Sequence, residues 1–237
     1  MAPVGYEVRD RIAHVTIDNG KANALSPEVI AALHDALTRA EDAGEDEVGA
    51  LLLTGTPGML SGGFDLAIMR GGSEAAGRLV TDGGELIARM FGSQVPVVIA
   101  CNGHAVAAGA LLLLGADGRV GARGEFRIGL IETQIGLVLP RWAVDISRER
   151  LSKRHFQHAT VGARVYDPDG ARDAGFLDEV VPSEALADAA RAEALRWAEL
   201  PRAAYRCQVR MNRGECLGRL AEAIAADRGR GFDVPST

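Results

Sequence analysis

The sequence has little cysteine and few aromatic residues. Its three cysteines, Cys101, Cys207 and Cys216, are unevenly spaced and form no CxxC pair. This spacing excludes a disulfide framework and a structural zinc site, and it favours a reducing compartment, for which we predict the cytoplasm. Aromatic residues make up 5% of the 237 residues. The core is therefore predicted to consist mainly of alanine, valine, leucine and isoleucine.

Excess positive charge and long apolar runs are also missing. The 26 lysines and arginines are outnumbered by 32 aspartates and glutamates, and the net charge of −6 argues against general nucleic-acid binding. The longest apolar stretch, residues 95–114, is interrupted by Asn102 and His104, so no segment reaches the roughly 18 apolar residues of a transmembrane helix. The first ten residues lack the basic-then-apolar order of a signal peptide. We expect neither a nucleic acid nor a membrane as a partner.

Strand-like and helix-like segments alternate along the chain, which predicts a mixed α/β layer architecture. Strand patterns occur at residues 12–17, 48–54, 95–100, 119–122 and 125–128. Ser26 and Pro27 form a helix start, because serine caps the first free amides and proline suits the first turn. Another helix is predicted from Ser73, and residues 184–227 are predicted to form two helices separated near Pro201.

Two loops of small residues each follow a predicted strand. Residues 55–63 form a predicted glycine-rich loop that leads into Ser-Gly-Gly-Phe-Asp-Leu at 61–66, and residues 102–110 form the second loop. Small residues let a ligand approach backbone N–H groups, and a helix that begins there favours an oxyanion. Two such amides at one carbonyl oxygen would stabilise an enolate. Taken singly, either loop is better explained as an ordinary strand-to-helix turn.

Four segments, in the same order, resemble those of the crotonase superfamily, the enoyl-CoA hydratase/isomerase family. Lys-Ala-Asn-Ala-Leu at 21–25 is similar to its N-A-L segment, and residues 61–66 are similar to its S-x-G-x-D-L loop. Asn-Gly-His-Ala at 102–105 is similar to the start of its second loop. Residues 170–182 are similar to its A-x-x-x-G-[LF]-[VL]-D-x-V-V segment. The set as a whole, rather than any one motif, identifies the family.

The resemblance implies a ClpP/crotonase-like α/β fold. A spiral of ββα units would occupy residues 1–182, and residues 183–237 would form a helical segment used in oligomer contacts. The resemblance also implies an enzyme of fatty acid metabolism that acts on an acyl-CoA or enoyl-CoA thioester. A homotrimer, or a homohexamer made of two trimers, is the implied assembly. No separate cofactor and no metal is implied, because coenzyme A is part of the substrate.

Site residues follow from the resemblance, position by position. The N–H groups of Phe64 and Ala108 would bind the thioester oxygen, although the family usually has glycine at the second position. The residues that match positions along the coenzyme A moiety are Ala22, Ala24, Leu25, Ser61, Gly63 and Leu66. Lys21 and Arg70 are candidates for contact with the 3′-phosphate.

The acid–base residues set this chain apart from a hydratase of the family, which works with two glutamates around one water. Leu111 stands where the first glutamate is expected, whereas Glu132 matches the second, with Ile131 in place of the usual proline. Leucine neither holds water nor delivers a proton. One carboxylate can still move a proton between two carbons, which favours isomerisation. Between Ile131 and Ile135, Glu132 would be desolvated, which would raise its pKa.

Two alternatives remain open. The alternatives to an isomerase are a catalytically silent acyl-CoA-binding homologue, as Leu111 suggests, and an enzyme for another reaction of the family, such as thioester hydrolysis or decarboxylation. Other polar residues have structural explanations: His104 as hydrogen-bonded scaffold, Asp65 as a helix cap and Asp145 as a surface residue. Four arginines on one predicted helix are interpreted as a subunit or solvent face: Arg202, Arg206, Arg210 and Arg213.

Overall fold

A computed structural model describes residues 2–231. This part of the chain contains nine β-strands: β1 (Val4–Arg9), β2 (Ile12–Ile17), β3 (Ala50–Thr54), β4 (Gly58–Ser61), β5 (Val97–Cys101), β6 (Gly103–Val106), β7 (Gly118–Ala122), β8 (Ile128–Gly129) and β9 (Glu179–Val181). It also contains nine α-helices: α1 (Pro27–Asp42), α2 (Leu66–Arg70), α3 (Ser73–Phe91), α4 (Ala108–Gly115), α5 (Arg141–Arg150), α6 (Lys153–Thr160), α7 (Pro168–Ala174), α8 (Leu186–Ala198) and α9 (Arg202–Asp227). The predicted mixed α/β class with a helical C-terminal part is confirmed.

The strands form two sheets. Six of them make a large sheet in the order β1-β2-β3-β5-β7-β9, in which only the β1–β2 pair is antiparallel. The other three make a small parallel sheet in the order β4-β6-β8. The strands therefore alternate between sheets: β3, β5 and β7 join the large sheet, and the strand after each joins the small one. Helices follow β4 and β6, which gives the repeated ββα turns of a spiral.

Both faces of the large sheet are buried along its central strands β3, β5 and β7. Successive side chains of a strand point to opposite faces, so Leu51 and Leu53 contact the core that α1 and α3 cover, whereas Leu52 lies on the other face. Helix α8 covers this second face with a stripe of small residues, including Ala190 and Ala194. The central strands β3 and β5 consequently show continuous rather than alternating apolar patterns, as doubly covered parallel strands do.

The helix starts follow the sequence signals. Ser26 caps α1, its hydroxyl accepting from the Val29 N–H at 3.4 Å, and Pro27 is the first helical residue. The helix predicted from Ser73 is α3. Pro201 separates α8 from α9, as predicted, because proline cannot continue the hydrogen bonding of the preceding helix.

Short strands are where the sequence prediction is wrong. Residues 55–63, predicted as a loop, contain β4, and the small-residue stretch after Asn102 begins with β6. Both strands depend on their pairing partners. A Cβ atom at Gly103 would overlap the backbone of Gly58, so the close contact of β4 and β6 requires glycine there. Conversely, of the strand predicted at 125–128, only its last residue lies in a strand, β8.

A buried carboxylate links the last helix to the sheet. The side chain of Asp117 accepts hydrogen bonds from the Val97 N–H (2.8 Å), the Tyr205 hydroxyl (3.0 Å) and the Arg213 guanidinium (2.7 Å). Arg213 is thus an internal ion-pair partner, not part of a solvent or subunit face as interpreted above. Arg202 also points inward and donates to the carbonyl of Ala43 at 2.7 Å. These bonds attach α9 to the body of the protein.

The oligomerisation role of residues 183–237 stays a prediction, and residues 232–237 of that segment lie outside the described part of the chain. Helix α8 contributes directly to the sheet core, and α9 packs against α3 and α5. None of the helices within residues 2–231 has both the length and the apolar character that crossing a bilayer requires.

Candidate active site

The loop at 61–66 is held by a dense set of hydrogen bonds. The Gly62 N–H donates to the Ala22 carbonyl at 2.8 Å, and the Gly63 N–H donates to the Ser61 hydroxyl at 3.2 Å. The Leu25 N–H donates to the Gly63 carbonyl at 2.8 Å, which ties the loop to the 21–25 segment. The side chain of Asp65 accepts from the first amides of α2, so Asp65 is a helix cap, as interpreted.

Within this loop, one amide stays unpaired. Among residues 2–231, no acceptor lies within hydrogen-bond range of the Phe64 N–H, although its neighbours on both sides are paired. The N–H of Ala108, the first residue of α4, likewise has no acceptor in the described structure. Unpaired amides at a helix N-terminus favour an electron-rich oxygen.

The second loop reaches this geometry through an unusual backbone. Ala107, just before α4, has φ 51° and ψ −126°, a conformation that L-residues other than glycine rarely adopt. Its N–H donates to the Gly129 carbonyl at 3.0 Å, and its carbonyl accepts from Ala110 and Leu111. All eight residues of α4 are buried. Burial and backbone hydrogen bonds therefore fix Ala107 in place and direct the start of α4.

The two loops pack backbone against backbone. A Cβ atom at Gly63 would lie 2.9 Å from the Cβ of Ala107 and 3.3 Å from the Ala108 nitrogen. A Cβ atom at Gly109 would overlap the carbonyl oxygen of Ser61. Glycine at both positions is what permits this approach. The unpaired amides of Phe64 and Ala108 are consequently carried by touching segments.

A cavity of roughly 690 Å³ opens beside these loops. It is lined by Phe64 from the first loop, Ala107 and Leu111 from the second, and Glu132 from the segment after β8. Most of the other lining side chains are apolar, with Trp142 among them. A concave, mostly apolar site with few polar groups is typical of a small-molecule site. The structure thus places three residues singled out from the sequence, Phe64, Leu111 and Glu132, at one cavity.

Glu132 is the one acidic side chain among the described residues that line the cavity. It begins a 3₁₀ turn, Glu132–Ile135, which ends at Gly136 with φ 77°. The Gln134 side chain anchors this turn by donating to the Ala163 carbonyl at 2.7 Å. Burial raises the pKa of Glu132 to about 7, and hydrogen bonds from backbone N–H groups only partly oppose this. Its Oε2 atom is buried and has no hydrogen-bond partner in the described structure.

Leu111 lies on α4 and is 1% exposed. It lines the same cavity as Glu132 and stands where the family resemblance implies the first glutamate of a hydratase. A branched apolar side chain there offers water no hydrogen bond. Among the described residues, the cavity therefore presents one carboxylate, that of Glu132, and an apolar side chain, Leu111, where a hydratase of the family has its other carboxylate.

The residues predicted to line coenzyme A divide into two groups. Leu66 is 57% exposed and lines the cavity, together with Arg70, one of the two candidates for the 3′-phosphate. On the neighbouring segment, Ala22 and Lys21 are exposed and Ala24 is half-buried. Three others have no exposed side chain to offer a ligand and shape the first loop from inside: Leu25, Ser61 and Gly63. Their predicted roles, like those of Phe64, Ala108 and Glu132, stay predictions.

Two other polar residues lie outside the cavity lining. The His104 Nδ1 accepts from the Arg127 N–H at 3.0 Å, and the ring packs edge-on against Phe126, so this histidine is scaffold. Asp145, interpreted as a surface residue, is instead buried on α5 and contacts Arg148 at 3.2 Å. That interpretation is wrong, because α5 is covered by α9 and α4. No group of three potential metal-binding side chains occurs in the described part of the chain.

The aromatic part of the cavity wall was missed at the sequence level. Helix α3 contains two successive glycines, and a Cβ atom at Gly83 would overlap the ring of Phe64. A Cβ atom at Gly84 would lie 2.8 Å from Cε2 of Trp142. Glycine inside a helix is destabilising, by about 1 kcal/mol relative to alanine. The Gly-Gly pair in the middle of an amphipathic helix is therefore the sequence feature that could have predicted large side chains packed against this helix.

Comparison with known proteins adds four similarities, two from sequence and two from solved structures. A family model described as enoyl-CoA hydratase/isomerase matches residues 7–230. The chain is 31% identical to human mitochondrial enoyl-CoA delta isomerase 1 over 91% of this chain and 72% of that protein.

Among solved structures, an enoyl-CoA hydratase/isomerase family protein from Pseudomonas syringae is 43% identical, with a TM-score of 0.91 over 95% of this chain and 96% of the other. An enoyl-CoA isomerase of Mycobacterium tuberculosis in its apo form is 36% identical, with a TM-score of 0.89 over 96% and 98% of the two chains. These similarities confirm the crotonase-like fold.

Proposed function

Because the chain belongs to the enoyl-CoA hydratase/isomerase family of enzymes, we propose that it shifts the double bond of an enoyl-CoA thioester by single-carboxylate proton transfer. One observation carries this proposal: Glu132 is the one acid among the described cavity residues, and Leu111 occupies the place of a second. The isomerase name of the human relative supports the same reaction.

The unpaired amides of Phe64 and Ala108 are the proposed binding site for the thioester carbonyl. Two N–H donors directed at one oxygen stabilise the negative charge that develops there when the neighbouring carbon loses a proton. No acceptor among residues 2–231 competes for either donor. The donors also need little reorganisation, because the loops that carry them are held by hydrogen bonds.

Glu132 is the proposed base and acid. Its carboxylate removes a proton from C2 of a 3-enoyl thioester, and the electron pair delocalises from C2 to C4 and onto the thioester oxygen. The resulting carboxylic acid then returns the proton to C4, so that the double bond ends between C2 and C3 and no atom is gained or lost. A pKa of about 7 suits both steps, because a group that titrates near the working pH is competent as base and as acid.

Leu111 explains why hydration is disfavoured in this proposal. Addition of water requires a group that holds the water and a second that delivers a proton to carbon, and leucine supplies neither function.

The proposal is tested with Leu111→Glu and the matched variant Leu111→Gln. Wild type is expected to convert a 3-enoyl-CoA to the 2-enoyl isomer, with solvent deuterium incorporated at carbon, and to hydrate 2-enoyl-CoA slowly. Leu111→Glu is expected to gain hydration relative to Leu111→Gln, because only the former adds a second proton carrier. Wild-type hydration as fast as isomerisation would contradict the proposal.

The same Leu111 also favours the alternative of a silent acyl-CoA-binding protein. That alternative predicts that an acyl-CoA raises the melting temperature while no thioester of a panel is converted and no deuterium enters the ligand. Release of free thiol or carbon dioxide would instead indicate hydrolysis or decarboxylation.

The proposed assembly is a homotrimer or homohexamer, with α9 in the contacts, and the proposed location is the cytoplasm. Light scattering coupled to size exclusion measures the mass directly. A monomer at micromolar concentration would contradict the proposed assembly.

A further inference from the structure

Asn23 is buried, and its side chain makes three hydrogen bonds, two of which reach beyond its own turn. Its side-chain oxygen accepts from the Asn19 N–H at 3.1 Å, and its side-chain nitrogen donates to the Thr56 hydroxyl at 3.0 Å and the Met59 carbonyl at 2.9 Å. It is 0% exposed and has φ 44°. These bonds join the segment after β2 to β4, the strand that leads into the first loop.

Ser61 continues this connection toward the cavity. Its hydroxyl donates to the Asn23 carbonyl at 2.8 Å and accepts from the Gly63 N–H at 3.2 Å. Ser61 is 0% exposed, so its hydroxyl is not available to a ligand. The serine therefore completes a chain of hydrogen bonds from Asn23 to the residue next to Phe64.

The result is a loop in which a single amide is left over. The N–H groups of Gly62, Gly63 and Asp65 donate to Ala22, Ser61 and Leu25, respectively. Within the described structure, Phe64 is the one residue of 62–65 whose N–H has no acceptor. Without the Ser61 hydroxyl, the Gly63 amide would become a second free donor beside the Phe64 amide. The loop would then lose the hydrogen bond that leaves only the Phe64 amide free within residues 62–65.

We propose that Asn23 and Ser61 are positioning residues that hold the Phe64 amide toward the thioester carbonyl, and that Ser61 makes no contact with coenzyme A. This inference rests on the proposed function for the role of the amide. It replaces the expectation that Ser61 lines the coenzyme A moiety.

The test compares Ser61→Ala with Ser61→Cys, which keeps a weak donor and acceptor of similar size. Ser147→Ala is the matched control, because Ser147 is also buried and its hydroxyl has no partner in the described structure. Ser61→Ala is expected to lower kcat roughly ten-fold, the equivalent of one hydrogen bond, with Ser61→Cys between it and wild type. Ser147→Ala is expected to leave kcat unchanged.

Two binding measurements separate positioning from ligand contact. Infrared difference spectra of a bound saturated acyl-CoA, labelled with ¹³C at the thioester carbonyl, should show a lowered stretching frequency in wild type and a smaller shift in Ser61→Ala. Calorimetry with free coenzyme A should give the same Kd for both proteins. A raised Kd for coenzyme A with an unchanged carbonyl frequency would overturn the inference.

The outcome does not depend on which reaction the enzyme catalyses. The carbonyl frequency reports the amide contact even if no isomerisation is found, so failure of the proposed function and failure of this inference are distinguishable. If Ser61→Ala does not fold, Asn23→Asp serves instead, because it keeps the acceptor to Asn19 and removes the two donated hydrogen bonds. A normal carbonyl shift in folded Asn23→Asp would overturn the role of Asn23.

Discussion

The two walls of the cavity are built in opposite ways. The amide wall, residues 61–66 and 102–111, is held by backbone hydrogen bonds and by the complete burial of α4. The acid wall, residues 131–140, is a short turn and an extended segment in which Ile135 is 51% and Val138 is 54% exposed. Its carboxylate has a buried oxygen without a partner. In the described structure the amide wall is hydrogen-bonded but leaves the Phe64 and Ala108 N–H groups without an acceptor, whereas the acid wall carries an ionisable group with an unpartnered oxygen.

This difference matches what each wall is proposed to do. Fixed dipoles stabilise charge best when they do not move during the reaction. A proton carrier must change its charge, and a desolvated carboxyl group without an ion-pair partner does so near neutral pH. Rigidity on one side and a titratable group on the other therefore divide the chemistry between backbone and side chain.

The largest effect is expected from removing the carboxylate of the acid wall. Glu132→Gln keeps the size of the side chain but has no exchangeable carboxyl proton, so kcat should fall about 10³-fold, whereas the Kd for a saturated acyl-CoA should stay near that of wild type. Single-turnover kinetics and calorimetry measure the two quantities. Wild-type activity of this variant on a panel of 2- and 3-enoyl-CoA esters would remove Glu132 from the mechanism.

The amide wall is broken by adding a single methyl group at its tightest contact. In Gly109→Ala, the new Cβ would overlap the Ser61 carbonyl, and forcing the loops apart should cost about 2 kcal/mol or more of unfolding free energy. Gly214→Ala is the matched control, since a Cβ there meets nothing within 4 Å and alanine stabilises a helix interior by about 1 kcal/mol. Urea denaturation should show a lower unfolding free energy for Gly109→Ala and a higher one for Gly214→Ala, each relative to wild type. Equal stability of the two variants would contradict the close backbone contact at Gly109.

The pH dependence of the rate sharpens the comparison, because only the acid wall should titrate in the neutral range. With a Glu132 pKa of about 7, kcat/KM should rise about ten-fold per pH unit below that value and level off above it. Glu132→Gln should abolish this rise in any residual activity. A flat profile between pH 5 and 7 in wild type would contradict the raised pKa.

The stability should change with pH in the reverse sense. The pKa of Glu132 is raised from its ordinary 4.5, so the folded protein binds more protons than the unfolded chain between about pH 4.5 and 7. Its contribution to stability is therefore lost as the pH rises through this window. The melting temperature of Glu132→Gln, relative to wild type, should accordingly be higher at pH 8 than at pH 4.5.

The smallest effect is expected from the strained residue of the amide wall. Ala107 has φ 51° and ψ −126°, which costs on the order of 1–3 kcal/mol for a residue other than glycine. Ala107→Gly relieves this strain but adds backbone entropy to the unfolded chain, for a net gain of about 1 kcal/mol in unfolding free energy. If urea denaturation shows that Ala107→Gly is less stable than wild type, the alanine side chain stabilises the protein by more than the backbone strain at this residue destabilises it.

Much of the fold and several site positions could be predicted from local sequence signals. Serine and proline at 26–27 set the start of α1, and strand patterns located β2, β3, β5 and β7 of the large sheet but not its edge strands β1 and β9. Small-residue loops and family motifs placed Phe64 and Glu132 at what the structure shows to be one cavity. These signals work because caps, turns and buried runs depend on neighbouring residues.

Features that depend on distant partners could not be predicted this way. Strand β4 forms because β6 pairs with it, and its sequence has no strand pattern of its own. The burial of Asp145 depends on α9, and the internal position of Arg213 depends on Asp117. The interior role of Ser61 was hidden for the same reason, since its hydrogen bonds join segments 38 residues apart.

The glycine pair of α3 has a consequence for how such enzymes diverge. The ring of Phe64 packs against Gly83, and the backbone of Phe64 carries the amide that we propose binds the thioester carbonyl. Any branch of the lineage that acquires a side chain at this point of the helix must reseat the ring and, with it, the amide. A substitution in helix α3, far from Phe64 along the chain, would in this way shift the proposed amide without changing any residue of its own loop.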